Sequence, residues 1–162
     1  MIELRKISIT DSDMVRECIE LDVAPEQRAF VAHNAKSLGE AYACNKRGYG
    51  CATPCAIYAD GTMVGFIMYE FVKEEDHGDT YSGDAYYLWR FMIDQKHQGK
   101  GYGKQALAQA IDEVKKMPNG KAEYFYTGYE PENTDAKKLY ESLGFVETGQ
   151  VVDDEIVARL KL

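Results

Sequence analysis

Little in this chain of 162 residues points to a membrane, a metal or a nucleic acid. No stretch approaches the roughly 18 consecutive apolar residues of a spanning helix, and residues 1–6 lack the apolar region of a secretory leader. The expectation is a cytoplasmic protein with no membrane partner. There are only three histidines, His33, His77 and His97, and none has metal-ligand spacing. The four cysteines, Cys18, Cys44, Cys51 and Cys55, do not make a zinc spacing either, and are expected to be reduced and largely buried. No metal is expected. Positive charge is also short: 19 Lys and Arg against 27 Asp and Glu leave a formal charge of −8. That argues against nucleic acid as the main partner and suits a cationic one.

Repeats, low-complexity tracts and linkers are missing too, so residues 1–162 read as one domain of ordinary size. What is present is a folded composition, 45% hydrophobic and 12% aromatic. Leu4, Ile7 and Ile9 alternate as in a short strand over 3–9. Asp11 and its neighbours then offer helix caps before an apolar pattern of helical period that ends before Pro25. A second helix is expected over 34–46. Residues 55–59 and 63–71 flank Asp60-Gly61-Thr62, a strong hairpin signal. The acidic stretch 73–83 reads as a loop. A strand is expected over 86–94, a helix over 104–114, a second central strand over 123–129, a helix capped by Asn133 or Thr134, and a closing hairpin from 145–148 and 154–162. The fold class is α/β, with a mixed, mostly antiparallel central sheet flanked by helices. A doubly wound dinucleotide fold is excluded by the dominance of hairpins and by the late position of the glycine motif.

That motif, Gln98-Gly99-Lys100-Gly101-Tyr102-Gly103-Lys104, lies between an expected strand and an expected helix. Such a junction aims several unpaired backbone N–H groups at one point, and the helix dipole adds partial positive charge there. Glycines let the backbone turn tightly and approach a ligand, so the segment suits a diphosphate.

Gln98-x-x-Gly101-x-Gly103 resembles the pyrophosphate motif of the GNAT superfamily of acetyl-CoA-dependent N-acetyltransferases. About 30 residues on, Asn133-x-x-Ala136-x-x-Leu139-Tyr140-x-x-x-Gly144-Phe145 resembles its second hallmark. The resemblance covers essentially the whole chain. Gln27-x-x-Phe30-Val31-x-x-Asn34-x-x-Ser37-Leu38-x-Glu40-Ala41 and the run 89–94 are similar to bacterial spermine/spermidine (diamine) acetyltransferases. The resemblance implies a GNAT-like sheet splayed between the fourth and fifth strands, with acetyl-CoA as cosubstrate. The amides of residues 98–104 would hold the diphosphate, the edge of Phe91, Met92 and Ile93 would pair with pantetheine, and Asn133 would touch the pantetheine arm. Tyr140 would sit near the thioester sulfur, and a homodimer is expected by analogy.

Amide formation from a thioester needs a neutral amine, a polarised carbonyl and a protonated leaving group. Neutralising an alkyl ammonium of pKa about 10.4 at pH 7.4 costs roughly 4 kcal/mol, so a base belongs near the acceptor. Tyr140 is the candidate acid for the thiolate. By the resemblance, some polyamine enzymes carry acids at the positions of Trp89 and Arg90 here, so the base role moves or is taken by water, and Glu70 and Glu130 are the candidate bases. Arg90 is expected to pair with a carboxylate or line the site. Glu74, Glu75 and Asp84, with Tyr86, are candidates for binding a polycationic acceptor by charge and cation–π contact, and Glu26 and Glu40 are further anionic candidates. Other amines (an amino acid, an aminoglycoside, a protein N-terminus) keep the chemistry and change the acceptor. A non-catalytic acyl-CoA-binding domain would require a damaged loop or a missing thiol-side residue, and this sequence has neither.

Overall fold

A computed structural model describes residues 1–48 and 51–162; the side chain of Cys51 also lies outside the described residues. The chain order is β1 (Ile2–Lys6), α1 (Ser12–Glu20), α2 (Asn34–Arg47), β2 (Cys51–Ala59), β3 (Thr62–Val72), α3 (Glu74–His77), β4 (Ala85–Ile93), α4 (Tyr102–Lys115), β5 (Tyr124–Tyr129), α5 (Thr134–Glu141), β6 (Val146–Val152) and β7 (Glu155–Lys161). Single 3-10 turns, Pro25–Gln27 and Gln95–His97, precede α2 and α4.

The seven strands form one sheet in the order β1-β2-β3-β4-β5-β7-β6. Every neighbouring pair is antiparallel except β4 and β5. Asp60 and Gly61 both take positive φ, 50° and 84°, which matches the right-handed twist of the β2–β3 hairpin. The α1 helix begins where the Asp11 carboxylate accepts from Met14 N at 3.0 Å, and α5 begins where Asn133 Oδ1 accepts from Ala136 N at 3.2 Å.

Alternation along the strands gives each face of the sheet its own core. On one face Ile67, Tyr69, Tyr86, Leu88 and Phe125 pack with Leu107, Ala110 and Val114 of α4 and with Tyr140 of α5. On the other, Phe66, Met68 and Met92 pack with Cys18 of α1 and with Leu38 and Ala41 of α2. Cys18 and Cys55 are buried, as expected, and Cys44 is half-buried. Among the described residues no helix is long and apolar enough to cross a membrane.

Three expectations are corrected. The first strand ends at Lys6, not at residue 9. The acidic stretch after β3 contains the short helix α3, because the Asp84 carboxylate accepts from Glu74 N at 3.0 Å and supplies a cap from ten residues away. The hairpin strand β2 begins at Cys51, four residues earlier than its composition suggested, because Ala52 N and Ala52 O both bond the Asn45 side chain, which ties the strand start to α2.

Gly65 of β3 fits tightly beneath β4. A Cβ there would fall 2.5 Å from the Met92 carbonyl oxygen and 2.8 Å from Ile93 Cδ1. Because the nearest atom is backbone, Gly65→Ala is expected to lower stability by about 1–3 kcal/mol. Thermal unfolding of the variant against wild type reads this directly.

Candidate active site

The site follows from how β4 is paired. Against β3 it is registered from Val72↔Ala85 to Gly65↔Ile93, with Trp89 as an extra residue between Leu88 and Arg90. Against β5 it is registered only from Tyr86↔Phe125 to Leu88↔Thr127. A bulge bends a strand and increases its twist, and beyond Trp89 the two parallel strands part. The amide of Asp94 donates to Val64 O on the β3 side. Alternation therefore turns the backbone groups of Phe91 and Ile93 toward the opening. Ile93 O accepts from Gln98 Nε2 at 2.9 Å, and the groups of Phe91 face no strand.

A cleft of about 430 Å³ occupies this gap. It is walled by residues 87–93 of β4, 127–130 at the end of β5, one face of α5 and the segment 29–32, with Gln98 and Glu155 also lining it. That segment is held by two clamps. Asp94, buried at the end of β4, accepts from Asp22 N at 3.1 Å and Lys96 N at 2.9 Å. Gln98 Nε2 also donates to Gln27 Oε1 at 2.8 Å, and that same oxygen accepts from Ala24 N at 3.2 Å.

The glycine loop follows Gln98, the residue of the motif that lines the cleft. Gly101, at φ +75°, is the N-cap of α4 and offers no side-chain acceptor, so the first amides of the helix are left for a ligand. A Cβ on Gly103 would lie 3.4 Å from Phe91 Cζ and 3.6 Å from Ile93 Cγ1. That glycine sets the helix close on β4. Tyr102 packs toward the core, while Lys100 is exposed with its ammonium 3.5 Å from Lys96 O. Gln98 clamps the loop with its side chain, so only its backbone is available to an anion. Asn133 lines the cleft with Oδ1 spent as the α5 cap, which leaves its Nδ2 to donate.

Tyr140 projects from α5 into the cleft wall, 7% exposed, with its ring tilted against Tyr129 and Phe145 at centroid distances of 5.7 and 5.6 Å. Burial pushes its phenol up to about 12; Thr127 beside it acts against that shift and the charge of Glu155 adds to it. At neutral pH it is a protonated donor.

The sequence-derived carboxylates divide. Glu130, at the end of β5, lines the cleft. Glu70 does not: it sits beneath α2, where it accepts from Cys44 Sγ at 3.8 Å, and burial raises its pKa against the lowering effects of that thiol and of Arg90. Arg90 meets both expectations, lining the cleft and pairing with Glu40 at 3.1 Å, while its Nη1 donates to Trp89 O at 2.8 Å.

The acceptor group proposed from the acidic stretch is corrected. Tyr86 points into the α4 face, donating to Gly120 O and accepting from Asn119 N, so it shows no ring to the cleft. Asp84 pairs with Lys73 at 2.9 Å, and Glu74 and Glu75 are exposed on α3 and do not line the cleft. The Asp84 charge is satisfied by its ion pair with Lys73 and by the amide of Glu74. Glu155, at the start of β7, lines the cleft and was not anticipated. Its place depends on a strand order that composition does not carry.

Residues 16–145 match the acetyltransferase (GNAT) family, and the chain belongs to it. It is 29% identical over 144 residues to a spermine/spermidine N(1)-acetyltransferase of Bacillus subtilis, covering 89% of this chain and 88% of that one. A probable spermine N(1)-acetyltransferase of Bacillus subtilis subsp. natto matches with the same identity and coverage. Among solved structures, an aminoglycoside acetyltransferase in complex with coenzyme A and kanamycin superposes with TM-score 0.73 at 18% identity, over 99% of this chain and 95% of that one. A PaiA N-acetyltransferase from Thermoplasma acidophilum in complex with coenzyme A gives 0.67 at 17% identity, over 100% and 99%. These structures share the fold, including the sheet with one parallel pair.

Gly101→Asp places a negative charge on the capping position of α4, with a residue type that tolerates positive φ better than most. Coenzyme A affinity is expected to fall on the order of tenfold or more, with the thermal midpoint close to wild type. Calorimetric titration with coenzyme A checks it, and an unchanged affinity would remove the loop from the binding site.

Proposed function

We propose that this single domain transfers the acetyl group of acetyl-CoA to a primary amine of a polyamine or diamine, with spermidine and spermine first in line. The observation that carries the reading is the parting of β4 from β5 beside an uncapped helix N-terminus. An extended amide chain pairs with the open edge of β4 at the backbone groups of Phe91 and the amide of Ile93, since Met92 faces β3, while its diphosphate meets the amides of residues 98–104. No metal is needed for this chemistry. The polyamine is supported by the names of the two curated relatives and by the surplus of carboxylates along the acceptor side of the cleft.

The residues present fit the cosubstrate. Phe91 has backbone groups with no strand to bond, Asn133 Nδ2 is available to a pantetheine carbonyl, and Gly101 leaves the turn open. Bound acetyl-CoA supplies an activated acyl carbon. A backbone N–H of β4 then meets the carbonyl oxygen as charge develops on it. Tyr140, held protonated by burial, donates to the departing sulfur and regains a proton from the new amide nitrogen.

Tyr140→Phe keeps the ring in its packed position and removes only the donor. It is expected to lower kcat about 10²- to 10³-fold and to change acetyl-CoA affinity by less than about twofold. Thiol release from acetyl-CoA, measured with spermidine, spermine, putrescine and a panel of other amines, tests both the variant and the acceptor class. Turnover confined to non-polyamine amines would discard the polyamine and keep the transfer. Equal turnover by wild type and the phenylalanine variant would remove Tyr140 from the acid role.

A further inference from the structure

One carboxylate in the cleft is not used by the reaction as described. Glu155 opens β7, and its side chain lies across β5 at Gly128. A Cβ on residue 128 would fall 2.3 Å from Glu155 Oε2 and 3.3 Å from its Cδ. Any other residue there would expel the carboxylate from this place. Glu155 is half-buried and lines the same cleft as Tyr140. Among the described residues neither of its oxygens has a hydrogen-bond or ion-pair partner. A half-buried carboxylate without a partner is costly to keep unless a ligand supplies one.

The groups that face it come from several elements. Arg90 on β4 is its opposite charge, but that guanidinium is committed to Glu40 and to Trp89 O, with its Nε buried and unpaired. Glu130 at the end of β5 and Asp153 in the β6–β7 turn are like charges. Three phenols complete the surroundings, Tyr140 on α5, Tyr87 on β4 and Tyr81 after α3, and the charge of Glu155 raises the pKa of each. Glu155 is thus the carboxylate that acts on Tyr140. Glu70 lies outside the cleft, and after burial it is the charge of Glu155 that raises the Tyr140 pKa.

We propose that Glu155 is the catalytic base of this chain, taking a proton from the acceptor's ammonium directly or through one water. The inference rests on the acetyl-transfer reading above. The ammonium gives one proton to the carboxylate, which passes it to solvent. The freed nitrogen lone pair forms the C–N bond at the acyl carbon, the C–S bond breaks, and the sulfur keeps that electron pair. The second nitrogen proton reaches the sulfur through the Tyr140 hydroxyl. The products are the amide, the thiol and one released proton. Burial and the neighbouring carboxylates raise the Glu155 pKa, while Arg90 lowers it. Because the working form is the ionised one, activity falls as pH drops through that raised value.

The test compares wild type, Glu155→Gln and Glu155→Asp with two acceptors. One is spermidine, protonated at assay pH. The other is methoxyamine, a weak base already neutral there and needing no proton acceptor. Glu155→Gln is expected to lose about 10²- to 10³-fold in kcat with spermidine and less than about fivefold with methoxyamine above the uncatalysed background. Acetyl-CoA affinity should be unchanged, Glu155→Asp should fall between, and the acid limb of the wild-type kcat/KM profile should vanish in the glutamine variant. Equal losses with both acceptors, or a raised KM at constant kcat, would overturn the proposal. If spermidine is inert and another ammonium of the panel reacts, the comparison is made with that amine: the polyamine reading then fails while Glu155 is still tested. A wild type that acetylates methoxyamine but no ammonium would overturn the base.

Discussion

Everything at this site depends on where the hydrogen bonding between β4 and β5 stops. A parallel pair inside a sheet ordinarily satisfies both strands along their length. Here β4 remains bonded to β3 as far as Ile93 and β5 remains bonded to β7 as far as Tyr129, yet the two hold each other only at Tyr86, Tyr87 and Leu88. The extra residue Trp89 is the point of departure. Each strand keeps a full partner on its outer side, so the opening persists without either strand fraying. The structure thereby holds a stretch of unpaired backbone that would be unfavourable if buried dry, and that a ligand with amide groups can pair.

The same division explains why so much polar bonding collects around the 22–32 segment. No strand pairs with that segment; Val23 and Val31 pack on the sheet, and Asp94 and the Gln98–Gln27 pair add the polar bonds. Both clamps spend side chains of the strand–loop–helix junction on structure. The amides that remain for an anion are then backbone groups alone, which cannot rotate away or titrate. A diphosphate held in this manner would be recognised by geometry and by the α4 dipole. The overall charge of −8 is therefore no obstacle to an anionic cosubstrate at that end.

Much of this was legible in the sequence, and the reasons are physical. The glycine loop, the Asn133 cap and the helical spacing that puts Leu139 and Tyr140 on one face are local signals, and local signals fix local structure. Strand existence was legible for the same reason. The 74–84 charges misled because composition does not distinguish a carboxylate awaiting a ligand from one already satisfied nearby: Asp84 holds Lys73 and caps Glu74. Tyr86 misled because its aromatic ring stands beside the acidic stretch in sequence, and that adjacency disregards strand alternation. Its neighbour Tyr87 lines the cleft, and Tyr86 faces α4 because alternation sends adjacent residues to opposite faces. Glu155 was invisible for a topological reason. The closing hairpin inserts its second strand between β5 and β6, and only that order brings residue 155 over Gly128.

The electrostatics of the acceptor side follow from pairing more than from charge count. Arg90 brings a guanidinium to a wall where a cationic acceptor has been proposed, which at first sight argues against it. Its Nη atoms, however, are bound to Glu40 and to the Trp89 carbonyl, so its charge is matched within the protein. The carboxylates left over, Glu155 and Glu130, have no such match, and the phenols of Tyr81, Tyr87 and Tyr140 are buried deeply enough to stay neutral donors. A cation entering there restores a balance that the folded chain lacks, whereas an anion would add a third like charge in a half-buried place. The cleft thus carries an unpaired carboxylate, Glu155, and the phenol of Tyr140 in its wall, while the uncapped amides of α4 follow Gln98, which also lines it. In the proposed reaction an anionic thioester would meet the helix amides and a cationic amine the carboxylates, with the phenol of Tyr140 in the same cleft.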